Sequence, residues 1–116
     1  MKPTQIPFTL TNWDVIRPEI HAGETGEASW RTVVFGDLRI RRVDYSANYK
    51  ADHWCEKGHL VFCLEGEMTT ELRTGEFIVL KKGMSYQVSD ELSSHRTTSV
   101  AGTSLIIVDG GFLAKE

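Results

Sequence analysis

The 116-residue chain lacks several features that mark whole classes of proteins. Its longest purely apolar run, residues 60–64, is far shorter than the roughly 20 residues that a membrane-spanning helix needs. The net charge is −3 and no basic stripe is present, which argues against a nucleic-acid partner. The chain has only two cysteines and no visible signal peptide, which indicates free thiols in a reducing compartment. We therefore expect a cytoplasmic protein that binds neither nucleic acid nor membranes.

Proline is equally scarce, and all three prolines lie within the first 18 residues. A length of 116 residues corresponds to one domain. We predict that this domain consists of an N-terminal arm over 1–29, a barrel over 30–109 and a short tail over 110–116. Prolines at positions 3 and 7 suit an extended arm, because proline has a fixed φ and no backbone N–H.

Short β-like segments separated by turn residues fill the chain from Trp30 onward. No segment keeps the apolar period of a helix over three turns. Strands that recur roughly every 8–12 residues are typical of an all-β sandwich or barrel. The predicted strands cover residues 30–35, 38–45, 49–55, 59–65, 67–73, 76–80, 84–88, 95–100 and 103–108.

The apolar pattern of the second segment slips by one residue. Leu38 and Ile40 share one parity, whereas Val43 and Tyr45 share the other. Such a slip is what a β-bulge produces, so the pattern predicts a bulge near Arg41.

Two of the four histidines lie in one short segment that runs from Asp52 to His59. If residues 56–58 form a hairpin loop, Cys55 faces His59 across the strand pair, and His53 shares that face. Imidazole and thiolate both bind zinc and other late transition metals. We predict that these three side chains hold a metal ion. The alternative is that they are half-buried sheet residues with ordinary hydrogen bonds.

The same register separates the two cysteines. Cys63 would face Ala51, about 13 Å along the strand from Cys55, whereas a disulfide needs Cα atoms less than about 7 Å apart. We therefore predict no disulfide, with Cys63 as a small core residue and Cys55 as the reactive thiol. A nucleophilic dyad of Cys55 and His59 is an alternative, but it lacks an orienting group because Asp52 points away.

Two further residues are candidates for the site. His95 opens a late strand, where a partly exposed and solvated histidine is the ordinary interpretation. Tyr86 lies between Met84 and Val88 on an inward face, where a core tyrosine with a satisfied hydroxyl is the ordinary interpretation.

Residues 52–66 resemble the first motif of the cupin superfamily. His53 matches the first histidine of that motif, and Gly66 matches its closing glycine. Cys55 takes the place of the second histidine and His59 that of the glutamate. Each replacement is itself able to bind a metal.

Residues 75–86 resemble the second cupin motif. Gly75 and Gly83 match its glycines, while Lys81 replaces its proline and Tyr86 its histidine. More specifically, the string Asp-His-Trp-Cys at 52–55 is similar to the motif of a small bacterial cupin-fold group, the DHCW-motif family.

The resemblance implies a cupin-type double-stranded β-helix, which is a jelly-roll barrel in a single all-β domain. It also implies a metal site at the barrel mouth, where His95 completes or flanks the ligand set of His53, Cys55 and His59. Tyr86 would then orient a substrate or donate a proton. A thiolate–imidazole set favours zinc among the divalent transition metals, with iron, nickel and manganese as alternatives. Cupins commonly pair through an edge sheet or an N-terminal arm, so the resemblance also implies a homodimer.

Three functions are open at this point. The first is a metal-dependent enzyme that acts on a small polar organic molecule. The second is a non-enzymatic module that binds or senses a small ligand without a catalytic metal. The third is a relic of the fold, in which the polar cluster is only hydrogen-bonded.

Overall fold

The structure is a computed structural model that describes residues 4–114. The first three residues of the predicted arm and the last two of the predicted tail lie outside the described residues. The strands are β1 Glu19–Ala22, β2 Glu27–Phe35, β3 Leu38–Tyr45, β4 Tyr49–Lys50, β5 His59–Leu72, β6 Phe77–Lys81, β7 Ser85–Val88, β8 His95–Ser99 and β9 Thr103–Asp109.

Helical structure within 4–114 is limited to two short 3-10 helices, Trp13–Val15 and Gly111–Leu113. The predicted all-β class is therefore confirmed. Neither of these helices is long and apolar enough to cross a membrane.

All strand pairs are antiparallel, and the sheet runs in the order β1-β2-β3-β9-β5-β8-β4. The long strand β5 organises this sheet. Its first half pairs with β9 and β7, and its second half pairs with β8 and β6. Because β5 pairs with different strands along its two halves, the sheet curls into the predicted jelly-roll barrel.

The bend in β5 has a local cause. The register between β5 and β9 shifts between Cys63 and Glu65, which marks a β-bulge. Gly66 follows with φ at +77°, a conformation that favours glycine. A side chain there would also collide with the carbonyl oxygen of Gly102. The corner of the barrel therefore depends on this glycine.

The predicted bulge near Arg41 is wrong, because β2 and β3 pair without any shift in register. The apolar pattern slips for a different reason. Arg39 and Arg41 share the inner face of β3 with the buried Val43, and both arginines bind Asp109 on the neighbouring strand β9. Charged side chains thus occupy interior positions where the pattern predicts apolar ones.

The predicted strand over 49–55 is wrong for most of its length, because only Tyr49–Lys50 form a strand. Cys55 makes an isolated antiparallel bridge with His95, and His59 pairs with Val88 in β7. The predicted hairpin between Cys55 and His59 is therefore wrong as well. Residues 51–58 form a loop, which the backbone of β8 holds at Cys55.

The barrel encloses an apolar core whose most deeply buried members are Val43, Val61, Leu80 and Leu105. Cys63 is part of this core, at 4% exposure, and both cysteines are free thiols. The prediction of a core Cys63 and of no disulfide is confirmed.

A buried ion cluster closes one end of the core. The side chain of Asp109 is 3% exposed and accepts two hydrogen bonds of 2.9 Å from Arg39 and one of 3.1 Å from Arg41. Burial raises the pKa of Asp109. The hydrogen bond from His59 and the two arginines outweigh that effect and hold the pKa well below its usual range. The carboxylate is therefore ionised and stabilises the fold at neutral pH.

We expect Asp109→Asn to lower the free energy of unfolding by about 3–5 kcal/mol, because it leaves the buried Arg41 and the half-buried Arg39 without their counter-charge. The difference in free energy of unfolding between the wild type and the variant should be complete above pH about 3.9, the pKa of an aspartate in the unfolded chain. It should shrink as the pH falls below that value. Urea unfolding of both proteins at neutral and acid pH measures this difference. Asp44→Asn, at a half-buried surface ion pair, should cost at most about 1 kcal/mol. Equal losses in the two variants would contradict the expectation.

Candidate functional site

Three side chains with metal-binding atoms meet in a cavity of about 340 Å³ inside the barrel. The ligand atoms of Cys55, His59 and His95 all lie within 4.8 Å of one another. The Cys55 Sγ and His59 Nε2 atoms are 3.5 Å apart, close to the separation of about 3.5 Å that sulfur and nitrogen ligands have around a tetrahedral zinc ion. The three ligand atoms are thus close enough together to share one metal ion.

A close approach between two chain segments positions His59. The Gly58 N–H donates a 2.6 Å hydrogen bond to the carboxylate of Asp90. A side chain at Gly58 would lie 2.6 Å from the carbonyl oxygen of Val88, so only glycine fits here. The loop therefore enters β5 with His59 buried at the first position of the strand.

Two interactions hold Cys55 although it lies in a loop. Its backbone N–H donates to the His95 carbonyl at 2.8 Å and its carbonyl accepts from the His95 N–H at 3.0 Å. The guanidinium groups of Arg73 and Arg96 both lie over the indole of the preceding residue, Trp54, at 4.4 and 4.6 Å from the ring centre. The loop is thus attached to β8 next to the cavity.

Each histidine of the cluster is oriented by a hydrogen bond from its Nδ1 atom. His59 Nδ1 is 3.2 Å from Asp109 Oδ2, and His95 Nδ1 is 3.0 Å from the carbonyl oxygen of Ser93. Because an ionised carboxylate and a carbonyl can only accept, both Nδ1 atoms donate. In the neutral rings, Nε2 is then the free nitrogen, as in histidines that bind metals.

The charges in the cluster are coupled. Burial raises the pKa of Cys55, but hydrogen bonds from His59 and His95 outweigh it and lower the pKa to about 5. Burial lowers the pKa of His59, whereas Asp109 and Cys55 raise it more, so that the pKa lies above its ordinary value. Cys55 is therefore a thiolate at neutral pH, and protons and a metal ion would compete for Cys55 and His59.

His53 lies apart from this cluster. Its side chain is 75% exposed at the rim of the cavity, and its Nδ1 atom is 2.6 Å from Asp52. The expected alignment of His53 with Cys55 needed a regular strand over 49–55, and that strand is interrupted after residue 50.

Tyr86 lies on the cavity wall, with its ring centre 6.1 Å from that of His95. Burial raises the pKa of its phenol to about 12, partly offset by hydrogen bonds with Thr70 and Thr97. The hydroxyl group is therefore protonated at neutral pH and is able to donate to a bound molecule.

The sequence analysis missed Asp109, Arg39 and Arg41 as members of the site. Asp109 provides the orienting group for His59 that Asp52 does not. The available signal was the equal parity of the two arginines with Val43, which indicates charged side chains on the inner face of β3.

No protein-family model matches the chain, and no curated protein sequence matches it either. Several solved structures are similar. Ectoine synthase from P. lautus has 16% identity and a TM-score of 0.72, with 89% of this chain and 78% of that chain covered. A cupin-like protein from Thermotoga maritima has 15% identity and a TM-score of 0.70, with 85% and 82% covered.

Fe(II) HppE is similar at 18% identity with a TM-score of 0.70, and the match covers 91% of this chain and 62% of that chain. At such identities the similarity shows the fold alone. The fold is that of the cupins, which confirms the predicted resemblance at this level. Membership of the DHCW-motif family stays a prediction.

We expect the Cys55 thiol of the metal-free protein to ionise near pH 5, so that thiolate absorbance at 240 nm appears as the pH rises through that value. Cys55→Ser should remove this step. Cys63→Ser is the matched control and should leave it in place, because burial raises the pKa of Cys63. Ionisation of Cys55 near the ordinary thiol pKa of about 8.5 would contradict the expectation.

Proposed function

We propose that the protein binds one divalent transition-metal ion through Cys55, His59 and His95 and acts on a small polar organic molecule in the adjoining cavity. The observation that carries the proposal is the orientation of both histidines by Nδ1 hydrogen bonds, with the Cys55 sulfur 3.5 Å from His59 Nε2. Outer partners of this kind are found around metal-binding histidines. One cupin-fold neighbour, HppE, has been solved with Fe(II) and in complex with its substrate, which supports the proposal.

The donor set favours zinc. One thiolate and two imidazoles are softer ligands than the carboxylates and carbonyls that suit manganese. Iron is the ion of the HppE structure, and nickel also binds imidazole. Three protein ligands are the number that catalytic zinc sites use, with a further position for water or substrate.

The residues around the cluster have separate roles in this proposal. The bound ion would polarise a carbonyl group or activate water. Asp109 keeps His59 in its binding orientation, and His95 completes the ligand set. Tyr86 orients the substrate and donates a hydrogen bond or a proton to it. A cavity of about 340 Å³ is at the small end of ligand sites, which favours a small molecule.

A second candidate is nucleophilic catalysis by Cys55. The 3.5 Å contact from Cys55 to His59 and the 3.2 Å contact from His59 to Asp109 form a thiolate–imidazole–carboxylate series. A chelator separates the two candidates, because a coordinated thiolate is not a free nucleophile. A chelator should accelerate alkylation of Cys55 by iodoacetamide if a bound metal covers the sulfur, and should leave the rate unchanged if Cys55 acts as a free nucleophile.

We expect Cys55→Ser, His59→Ala and His95→Ala each to weaken metal binding at least tenfold, measured by zinc competition with a fluorescent chelator. Cys63→Ala is the control and should bind as the wild type does. The prediction that His53 is a metal ligand remains open, and the zinc affinity of His53→Ala shows directly whether His53 contributes to metal binding. Binding should weaken as the pH falls toward 5, because protons then compete for Cys55 and His59. A wild-type protein that takes up no divalent metal at neutral pH would overturn the proposal.

The predicted homodimer also stays a prediction, and the N-terminal segment supports it. Residues 4–13 carry no charge, and within them Ile6, Phe8 and Leu10 are 50%, 105% and 90% exposed. On β5, Phe62 and Leu64 are exposed as well. These apolar surfaces would be covered if the arm of one copy packed on the sheet of a second copy.

Light scattering should therefore give the mass of a dimer at micromolar concentration. Phe8→Asp should raise the dissociation constant at least tenfold, since it places a charge in an apolar contact. Thr9→Asp adds the same charge at the next residue and should have the smaller effect. A wild-type protein that stays monomeric at high micromolar concentration would show this prediction to be wrong.

A further inference from the structure

The cavity beside the cluster is lined by basic side chains. Within residues 4–114, its lining contains no carboxylate side chain and includes Arg39, Arg41, Lys57 and Arg96. Two of these cations already pair with carboxylates, because Arg39 holds both oxygens of Asp109 and Arg96 binds Glu71 at 2.9 Å. The four cations still outnumber the three anions around the cavity, which are Asp109, Glu71 and the Cys55 thiolate, and this excess attracts an anion.

Arg41 is the cation most deeply placed in this wall. Its side chain is 5% exposed, and its guanidinium carbon lies 4.5 Å from the centre of the Trp30 ring. It makes one side-chain hydrogen bond within 4–114, the 3.1 Å bond from Nη2 to Asp109. The Nε–H group is buried without any partner. A buried donor without an acceptor costs free energy. Arg42 Nε is also buried without a partner, but of the two side chains only Arg41 lines the cavity.

The charge balance of the cluster leads to the same conclusion. Arg39 and Arg41 carry two positive charges, and Asp109, the carboxylate between them, carries one negative charge. One positive charge is left over at the arginines, and a divalent ion held by the Cys55 thiolate and two imidazoles would add one more. A bound anion would compensate this excess in a place where water is scarce and charges interact strongly.

We infer that the cavity binds a small organic carboxylate, with its anionic group against the Arg41 guanidinium and its body directed toward Cys55, His59 and His95. This inference deepens the proposed function and rests on it, because it names the substrate class of the same site. Arg41 is then the residue that selects anionic over neutral molecules.

A monocarboxylate fits these observations better than a phosphate group. The uncompensated charge of the arginine cluster itself, before any metal binds, is one, which a monoanion balances. The guanidinium is planar and stacked on an indole, and its coplanar N–H groups match the plane of a carboxylate. The aromatic rings of Tyr45, Tyr49 and Tyr86 also line the cavity and provide contact for an organic body.

Propionate and propionamide are suitable probes, since they have nearly the same shape and differ in charge. We expect ligand-observed NMR to show that propionate binds both the metal-free and the zinc-loaded wild-type protein, more tightly in the latter. Propionamide should bind at least tenfold more weakly than propionate. Equal binding of the two probes, or no binding of propionate to either form, would overturn the inference. Preferential binding of inorganic phosphate would overturn the assignment to carboxylates.

Variants at two neighbouring arginines show which side chain is responsible for propionate binding. Arg41→Met should weaken propionate binding at least tenfold, and Arg41→Lys should retain part of it. Arg42→Met is the matched control, because Arg42 is the next residue of β3, lies on the outer face and pairs with Asp44. It should bind propionate as the wild type does. Equal losses in Arg41→Met and Arg42→Met would show a general effect of charge and overturn the inference.

These outcomes separate the inference from the proposed function. A protein that binds propionate through Arg41 but takes up no zinc contradicts the metal proposal alone. A protein that binds zinc through Cys55 but binds no propionate contradicts this inference alone. If Arg41→Met does not fold, Arg41→Lys and the comparison of the two probes on the wild-type protein still test whether the cavity binds a carboxylate through Arg41.

Discussion

The buried carboxylate of Asp109 is the interaction on which the fold and the site both depend. It lies on β9, accepts hydrogen bonds from two arginines of β3, and accepts another from His59 at the start of β5. A buried charge of this kind is tolerated only when all its partners are present, because an unpaired ion in the interior is costly. The same carboxylate therefore ties three strands together and aims the His59 ring at Cys55.

The three members of the candidate metal site come from elements of different kinds. His59 and His95 lie on strands whose backbones are paired on the barrel wall. Cys55 lies in a loop, and its position rests on the two-bond bridge to His95 and on the two guanidinium groups over the Trp54 ring. Sites on strands are positioned more accurately than sites on loops, so the proposed metal binding would be accommodated by the 51–58 loop.

Local patterns predicted much of the architecture. Alternation and turn residues placed most of the strands, and the apolar surroundings of Cys63 identified it as a core residue. The prediction erred in two places. The inward arginines of β3 give the pattern of a bulge, because periodicity predicts apolar burial and a buried ion cluster does not follow that pattern. The segment before Cys55 has the pattern of a strand but forms a loop.

The sequence by itself determined the all-β class and the kinds of ligand available around Cys55, since each of these depends on neighbouring residues. The tertiary structure decided which side chains meet. It brings His95 from β8 to Cys55 in place of His53, and it brings Asp109 to His59 across 50 residues of sequence. An inward arginine or carboxylate looks like a surface residue in the sequence, because its partners come from distant strands and only the folded barrel places them together.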